Sequence, residues 1–177
     1  TTPWTLPSNV ILSVNAKETY AKAKYQDYYV IMAEALMESV LGEGNYEVVE
    51  RMKGGDLEYV KYEPLFDFQP NGEDFKGYFM TCDDYVTLTD GTGIVHTAYA
   101  YGEDDYRVCK KYGVTFYQNV NTDGHLNEIA GPFKGLFVKD ADPVILKYME
   151  ENGSLFRALP FEHNYPFCWR CDTPLLY

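Results

Sequence analysis

Residues 91–106 hold side chains whose types and spacing suit the binding of a polar ligand. A tight Gly91-Thr-Gly93 turn leads into a short apolar strand that carries His96, and the acids Asp104 and Asp105 follow just before a helical pattern. A carboxylate directed into a cleft would bind an ammonium group, and the histidine would line the same pocket. The stretch therefore combines a rigid backbone bend with polar side chains.

Each of these side chains also has a purely structural explanation. Acids in the first turn of a helix stabilise it by about 0.3–1 kcal/mol, and spacing alone favours this capping role for Asp104 and Asp105. A strand alternates its faces, so His96 points with Ile94 and Ala98. A hydrogen-bonded core or rim histidine is as consistent with this position as a pocket-lining one.

The opening of the chain is rich in hydroxyl groups. Thr1, Thr2 and Thr5 surround Trp4, and such hydroxyls could hydrogen-bond a sugar or orient a water molecule. Threonine is also common at strand ends, so a polar strand end is the alternative. We expect this opening to lie beside residues 91–106 in space.

Two elements must position the candidate side chains. The apolar run 94–98 is predicted to be a strand. Residues 103–112 are predicted to be a helix, with acids in the first turn and Lys110 and Lys111 in the last. Gly113 stands where a helix C-terminal glycine is expected.

Many short strands and few short helices are predicted along the rest of the chain. An Asp90-Gly91 turn favours a hairpin between 85–89 and 94–98, and Asp142-Pro143 is a typical helix start. Further strands are predicted at 9–15, 27–32, 46–52, 77–82, 115–120, 125–129 and 154–161, and further helices at 33–41 and 142–152. The pattern favours a mostly β fold, a closed or nearly closed sheet with flanking helices.

Length and charge narrow the function classes. The 177 residues suit a single domain, and since the chain begins at Thr1 we expect it to be a fragment of a longer protein. A net charge of -12 argues weakly against nucleic-acid binding by this piece alone, although Arg107, Lys110 and Lys111 could contact a phosphate. No apolar run approaches the roughly 20 residues that span a membrane, so no membrane partner is expected.

The sequence contains no motif for nucleophilic catalysis or for nucleotide binding. No Gly-x-Ser-x-Gly elbow, Walker loop or dinucleotide fingerprint occurs, and His125 and His163 lie in turn-like polar stretches typical of a surface. The four cysteines are too few for a disulfide framework, which favours a reducing, cytosolic setting. Cys168-Trp-Arg-Cys171 is a single knuckle, so we predict no metal within these residues; zinc would need two ligands from outside the chain.

Several segments together resemble the editing domain of isoleucyl-tRNA synthetase, a class I synthetase in which this domain interrupts the nucleotide-binding catalytic domain. The opening TTPWTLPSN is similar to the threonine-rich editing motif. DYVTLTDGTGIVHTAYAYGEDDYRVCKKYG is similar to the second editing motif. Residues 62–66, 131–142 and 165–177 also match, so the resemblance runs through nearly the whole chain in order.

The resemblance implies a fold and an activity. The fold would be a closed β-barrel with helices around it, formed by residues 1–177 as one editing domain. The activity would be hydrolysis of valine wrongly esterified to tRNA(Ile), without aminoacylation. Isoleucyl-tRNA synthetase is itself the usual example of this need, because one methylene is worth only about 1–3 kcal/mol in a binding pocket.

The resemblance also implies partners. The partners would be the 3′ end of tRNA(Ile) carrying valine and the rest of the synthetase in cis, in the cytoplasm. This chain would need no cofactor, and ATP and Mg²⁺ would serve the parent enzyme. The alternative is a non-catalytic module that binds the aminoacylated 3′ end when isolated.

Site roles follow from the same resemblance. Asp105 would hold the α-ammonium of the valyl group, and His96 would line the side-chain pocket and help to exclude isoleucine. Thr1 and Thr2 would orient the terminal ribose and the attacking water, and Trp4 would support that wall. The other substrate-binding residues implied are Thr5, Gly93, Ala98 and Tyr99. The family usually has Pro in place of Tyr99 and often has Phe in place of Tyr101.

Overall fold

The computed structural model describes residues 1–161 and 165–176, so His163 lies outside the described residues. The strands are β1 (Ile11–Val14), β2 (Thr19–Tyr25), β3 (Tyr28–Ala33), β4 (Tyr46–Lys53), β5 (Met80–Cys82) and β6 (Val95–Thr97). The α-helices are α1 (Met37–Leu41), α2 (Glu103–Tyr112) and α3 (Val138–Glu151). Short 3-10 helices cover Pro3–Ser8, Glu34–Leu36, Gly54–Leu57 and Glu128–Phe133.

The strands form two three-stranded sheets. In the first sheet β1 is central, parallel to β5 and antiparallel to β6, and Leu12 lies opposite both Met80 and His96. The second sheet has the order β3-β2-β4 and is antiparallel throughout. The first sheet carries the candidate site, because β6 contains His96 and leads into α2.

The expected closed, mostly β barrel is not what the described residues form. Their strands and α-helices contain similar numbers of residues, which makes the fold mixed α/β, and the two sheets do not close on each other. The outer strands of the first sheet are only three residues long and offer few backbone groups for further pairing.

The predicted hairpin between 85–89 and 94–98 is wrong. Residues 85–89 form turns and bends, while β6 pairs with β1 instead. Val86 is buried, and its backbone carbonyl accepts a hydrogen bond of 3.0 Å from the side-chain amide of Asn15. The Asn15 side chain therefore satisfies this one carbonyl, which a hairpin partner could otherwise have bonded.

Two further predictions near the C-terminus differ from the structure. Helix α3 begins at Val138, so Asp142 lies inside it, where its carboxylate accepts a hydrogen bond of 2.8 Å from the Trp4 backbone. The predicted strand at 154–161 is irregular, and the predicted pair 115–120 and 125–129 is reduced to a single bridge. Helix α2, in contrast, has the predicted bounds, and Gly113 ends it in the left-handed conformation.

Two parts of the apolar core hold the elements around the site. Helix α2 buries Val108, Cys109 and Tyr112 against Val10 and Ile11 at the start of β1. Helix α3 and the 3-10 helices Pro3–Ser8 and Glu128–Phe133 share a second cluster around Trp4, Phe66, Phe133, Ala141 and Ile145. Both clusters fix the segment before β1, which is the opening of the chain.

The two glycines of the turn before β6 differ in how closely they are packed. Gly91 and Gly93 both have a left-handed backbone, with φ of +69° and +73°. A Cβ on Gly93 would lie 2.5 Å from the Ala33 Cβ and 2.8 Å from Leu88, whereas a Cβ on Gly91 meets nothing within 4 Å. The two positions therefore share the conformational cost but not the steric one.

We expect Gly93→Ala to destabilise the chain by about 1–3 kcal/mol more than Gly91→Ala, because only the former overpacks the core. The left-handed conformation itself costs both variants about 1–2 kcal/mol. Urea unfolding of the two variants measures the difference. Equal loss of unfolding free energy in both would show that the packing argument is wrong.

Candidate active site

Antiparallel pairing of β1 with β6 places the opening of the chain against His96. The Val10 amide donates to the Thr97 carbonyl at 3.0 Å, and the 3-10 helix Pro3–Ser8 directly precedes this contact. The Thr5 hydroxyl then lies 3.1 Å from the His96 Nε2. The prediction that the opening lies beside residues 91–106 is confirmed.

A chain of hydrogen bonds determines which nitrogen of His96 carries the proton. The Asn9 Nδ2 donates to the Ile11 carbonyl at 3.0 Å, and the same nitrogen lies 2.8 Å from the His96 Nδ1. Because a carbonyl only accepts, the amide nitrogen is correctly placed, and the Nδ1 is the acceptor. The proton is then on Nε2, which donates to Thr5, and the Thr5 hydroxyl donates to the Thr2 carbonyl at 2.9 Å.

His96 is neutral at physiological pH. Burial, together with the nearby α-ammonium group of Thr1, lowers the pKa of His96 to about 4. Both ring nitrogens are engaged within the protein. The side chain therefore offers shape and a fixed orientation, not a free general base.

Asp105 carries the unusual electrostatics of the site. It lies in the first turn of α2, and its Oδ1 accepts a hydrogen bond of 2.7 Å from the Ala98 amide at the end of β6. Burial raises the pKa of Asp105 to about 6, although the bond from Ala98 opposes this shift. Within residues 1–161 and 165–176, no cationic side chain pairs with this carboxylate. A half-buried carboxylate without a cation is suited to bind one.

Asp104 has a different environment from its neighbour. It is exposed and pairs with Arg107 at 2.9 Å. Arg107 also makes two hydrogen bonds to Asp83, at 2.9 and 2.8 Å, which lower the pKa of Asp83 to about 2. Asp104 thus belongs to a surface ion-pair group that joins α2 to the segment after β5, while Asp105 faces β6.

The other residues of the opening lie at different depths. Thr1 is exposed, and the Thr2 carbonyl accepts from both the amide and the hydroxyl of Thr5. Trp4 is only 3% exposed and packs edge-on against Tyr101, with ring centroids 4.9 Å apart. Trp4 therefore supports the opening from the core.

The predicted residues around β6 have distinct structural roles. Gly93 is buried in the turn, and its carbonyl accepts a hydrogen bond of 2.6 Å from Tyr20. Ala98 contributes its amide to Asp105. Tyr99 is half-buried and packs edge-on against Phe116, at 5.1 Å between ring centroids. Ala98 thereby links the end of β6 to another predicted site residue.

Sequence reasoning misses Asn9 and Tyr62. Asn9 is 4% exposed and bonds to His96, while the Tyr62 hydroxyl donates to the Asn9 Oδ1 at 2.6 Å. The three residues are far apart in the sequence, and Asn9 reads as an ordinary strand residue. The resemblance includes Tyr62 within a matching segment but attaches no role to it.

Two cavities among the described residues lie away from this constellation. One, of about 450 Å³, is bordered by residues 82–85, Arg107 and Lys111, with Ala16 at its edge. The other, of about 530 Å³, lies among residues 118–127. Neither of these two is lined by His96 or Asp105.

The described residues contain no group of three or more His, Cys, Asp or Glu side chains placed to hold a metal ion. Cys168 and Cys171 lie in one tight turn, where hydrogen bonds from Thr173 and Cys168 lower the pKa of Cys171. That these residues hold no metal by themselves, and that zinc would need ligands from outside the chain, stays a prediction. No helix within the described ranges has the length and apolar character needed to cross a membrane.

Sequence comparison finds close relatives among isoleucine–tRNA ligases, although no family model matches the chain. The chain is 51% identical over 177 residues to the isoleucine–tRNA ligase of Clostridium novyi and 49% identical to that of Clostridium kluyveri. The enzyme of Pyrococcus horikoshii is 42% identical over 189 residues. All of this chain is matched, but it spans only 17–18% of the length of these relatives.

Structure comparison finds leucyl-tRNA synthetase editing domains. The crystal structure of GlLeuRS-CP1 has a TM-score of 0.68 at 17% identity, covering 90% of this chain and 82% of that one. The editing domain of the cytosolic leucyl-tRNA synthetase of P. knowlesi has a TM-score of 0.59 at 12% identity, covering 86% and 80%. The chain is therefore related along its whole length to one segment of the isoleucine–tRNA ligases, and it has the fold of the leucyl-tRNA synthetase editing domains.

Proposed function

We propose that this chain is an editing domain that hydrolyses misacylated tRNA, with valyl-tRNA(Ile) as its substrate. Two lines support the proposal: kinship with isoleucine–tRNA ligases, and an editing-domain fold. The observation that carries it is Asp105, a half-buried carboxylate with one backbone hydrogen bond and no cationic partner among the described residues. Its carboxylate accepts from the Ala98 amide at the end of β6, the strand that carries His96, and the Thr5 hydroxyl of the chain opening lies against the same His96.

In this proposal Asp105 binds the α-ammonium of the esterified amino acid. Burial makes the carboxylate costly to ionise, and a bound ammonium relieves that cost through a charge-assisted hydrogen bond. The favourable interaction therefore exists only when an amine occupies the site. This arrangement selects an aminoacyl ester over the uncharged 3′ end of tRNA.

His96 shapes the pocket for the amino-acid side chain. Its ring is neutral and held at both nitrogens, so it presents a fixed surface. A fixed wall can reject isoleucine by steric exclusion, whereas a pocket that merely binds it loses only about 1–3 kcal/mol for one methylene. Tyr99 borders the same strand end and contributes to the shape of this wall.

Catalysis rests on positioning, since no protein nucleophile is proposed. A water molecule oriented by the hydroxyls of Thr1 and Thr2 attacks the ester carbonyl. The bond between that carbonyl carbon and the ribose oxygen breaks, and the ribose oxygen takes the proton that the water loses. The products are free valine and tRNA(Ile).

The biological setting belongs to the same proposal. The partners are the 3′ end of tRNA(Ile) and the remainder of the synthetase in cis, in the cytoplasm, and ATP and Mg²⁺ serve only the parent enzyme. Binding of a non-hydrolysable valyl-adenosine analogue without turnover of valyl-tRNA would instead favour the non-catalytic binding module.

We expect Asp105→Asn to lower kcat/KM for valyl-tRNA hydrolysis by roughly ten- to a hundred-fold. One hydrogen bond to a charged group is worth about 1.5–3 kcal/mol, and the amide keeps the acceptor for Ala98 while losing the charge. The matched control is Asp104→Asn, because Asp104 lies in the same helical turn but pairs with Arg107. Equal losses in both variants would contradict the assignment of Asp105.

The pH dependence gives an independent test. Because burial raises the pKa of Asp105 to about 6, hydrolysis should fall as the pH is lowered through 6 and the carboxylate is protonated. Stability should move the other way. The raised pKa means that the folded chain binds this proton more tightly than the unfolded chain does. The contribution of Asp105 to stability is therefore greatest below about pH 4 and declines as the pH rises to about 6.

Urea unfolding of the wild type and Asp105→Asn at pH 4 and pH 7 measures the stability change. Steady-state deacylation across the same range measures activity. A wild-type rate with no inflection near pH 6 would contradict the role of the ionised carboxylate.

A further inference from the structure

We infer that Tyr62 is a positioning residue of the proposed site. Its hydroxyl holds the Asn9 amide, and the amide in turn fixes the tautomer and orientation of His96. The inference rests on the proposed function, in which His96 forms the wall of the side-chain pocket. Tyr62 itself touches no part of the proposed substrate.

Tyr62 is a fixed and permanent hydrogen-bond donor. Its backbone amide donates to the Tyr78 carbonyl at 2.9 Å, and its ring packs edge-on against the Tyr78 ring at 6.0 Å. Burial raises the pKa of Tyr62 above its usual range, so the phenol stays protonated at any working pH. The 2.6 Å bond to the Asn9 Oδ1 is therefore always available.

Asn9 has no spare bonding group with which to reorganise. Its Oδ1 accepts from Tyr62, while its Nδ2 serves both the Ile11 carbonyl and the His96 Nδ1. Its backbone carbonyl accepts from the Gln69 side chain at 3.2 Å. The residue is 4% exposed, so water has little access to replace a lost partner.

Removal of the phenol hydroxyl disturbs every bond that follows it. A buried Asn9 Oδ1 without a donor is costly, so the Asn9 side chain shifts away from the position that the Tyr62 hydroxyl and the Ile11 carbonyl set together, and its Nδ2 donor is displaced from His96. The ring can then carry its proton on Nδ1. In that tautomer Nε2 becomes an acceptor, and the Thr5 hydroxyl must turn away from the Thr2 carbonyl to donate to it.

The test compares Tyr62→Phe with Tyr117→Phe in this chain. Tyr117 is a matched control, because its buried hydroxyl donates to the Ile129 carbonyl at 3.1 Å and has no link to His96. The first measurement is the ¹⁵N spectrum of the His96 ring at pH 7. We expect a single Nε2–H tautomer in the wild type and in Tyr117→Phe, and a mixture of tautomers in Tyr62→Phe.

The second measurement is the ratio of kcat/KM for valyl and isoleucyl esters of tRNA(Ile). We expect Tyr62→Phe to reduce this discrimination by about ten-fold, the effect of one hydrogen bond, and Tyr117→Phe to leave it unchanged. Thermal unfolding of both variants shows whether they remain folded.

Three results would overturn the inference. The first is an unchanged His96 tautomer in folded Tyr62→Phe. The second is an Nδ1–H tautomer of His96 in the wild type, a result that can be obtained without making any variant. The third is equal change in both variants. A tautomer shift in a chain that never hydrolyses valyl-tRNA would support the positioning role while contradicting the proposed function.

Discussion

The antiparallel pairing of β1 with β6 is the constraint on which the candidate site depends. It joins Leu12 to His96, residues separated by more than 80 positions, and so places the chain opening beside His96, on the strand that leads into α2. The core then holds both sides of this pairing: α2 packs on the beginning of β1, and Trp4 anchors the opening to α3. Without this pairing, the chain opening would not meet His96.

Asp104 and Asp105 show how the fold assigns two identical side chains to different tasks. Asp104 faces solvent and joins Arg107 and Asp83 in an ion-pair group. Because Asp104 and Arg107 are exposed, their ion pair contributes little to the free energy of unfolding. Asp105 faces β6, where burial raises its pKa and no cation compensates it among the described residues. A protein selected only for stability would gain from neutralising such a group, which is why an unpaired buried acid points to a ligand.

Local patterns predicted the elements that carry strong local signals. Helix α2 has acids first, lysines last and a glycine beyond, and its observed bounds equal the predicted ones. Elements that depend on pairing between distant segments were harder to predict. Strand β2 escapes prediction because its alternating Ala and Lys residues favour helices, and only burial of Ala21 and Ala23 between two partner strands makes it a strand.

The same difference applies to the site. The proximity of the opening to His96 was predictable once both stretches were seen as polar and turn-rich. The partner of β6 was not, because a tight Asp90-Gly91 turn gives a local hairpin signal, whereas β6 pairs with the distant strand β1. The hydrogen bonds from Tyr62 to Asn9 and from Asn9 to His96 were not predictable either. They join three distant segments, and no sequence pattern links these segments.

A crystal structure of this chain with a non-hydrolysable valyl-adenosine analogue tests the central claim most directly. We predict the α-ammonium within hydrogen-bond distance of Asp105, the valyl side chain against His96, and the ribose beside Thr1 and Thr2. An analogue bound elsewhere, or one that leaves Asp105 without an ammonium partner, would contradict the account.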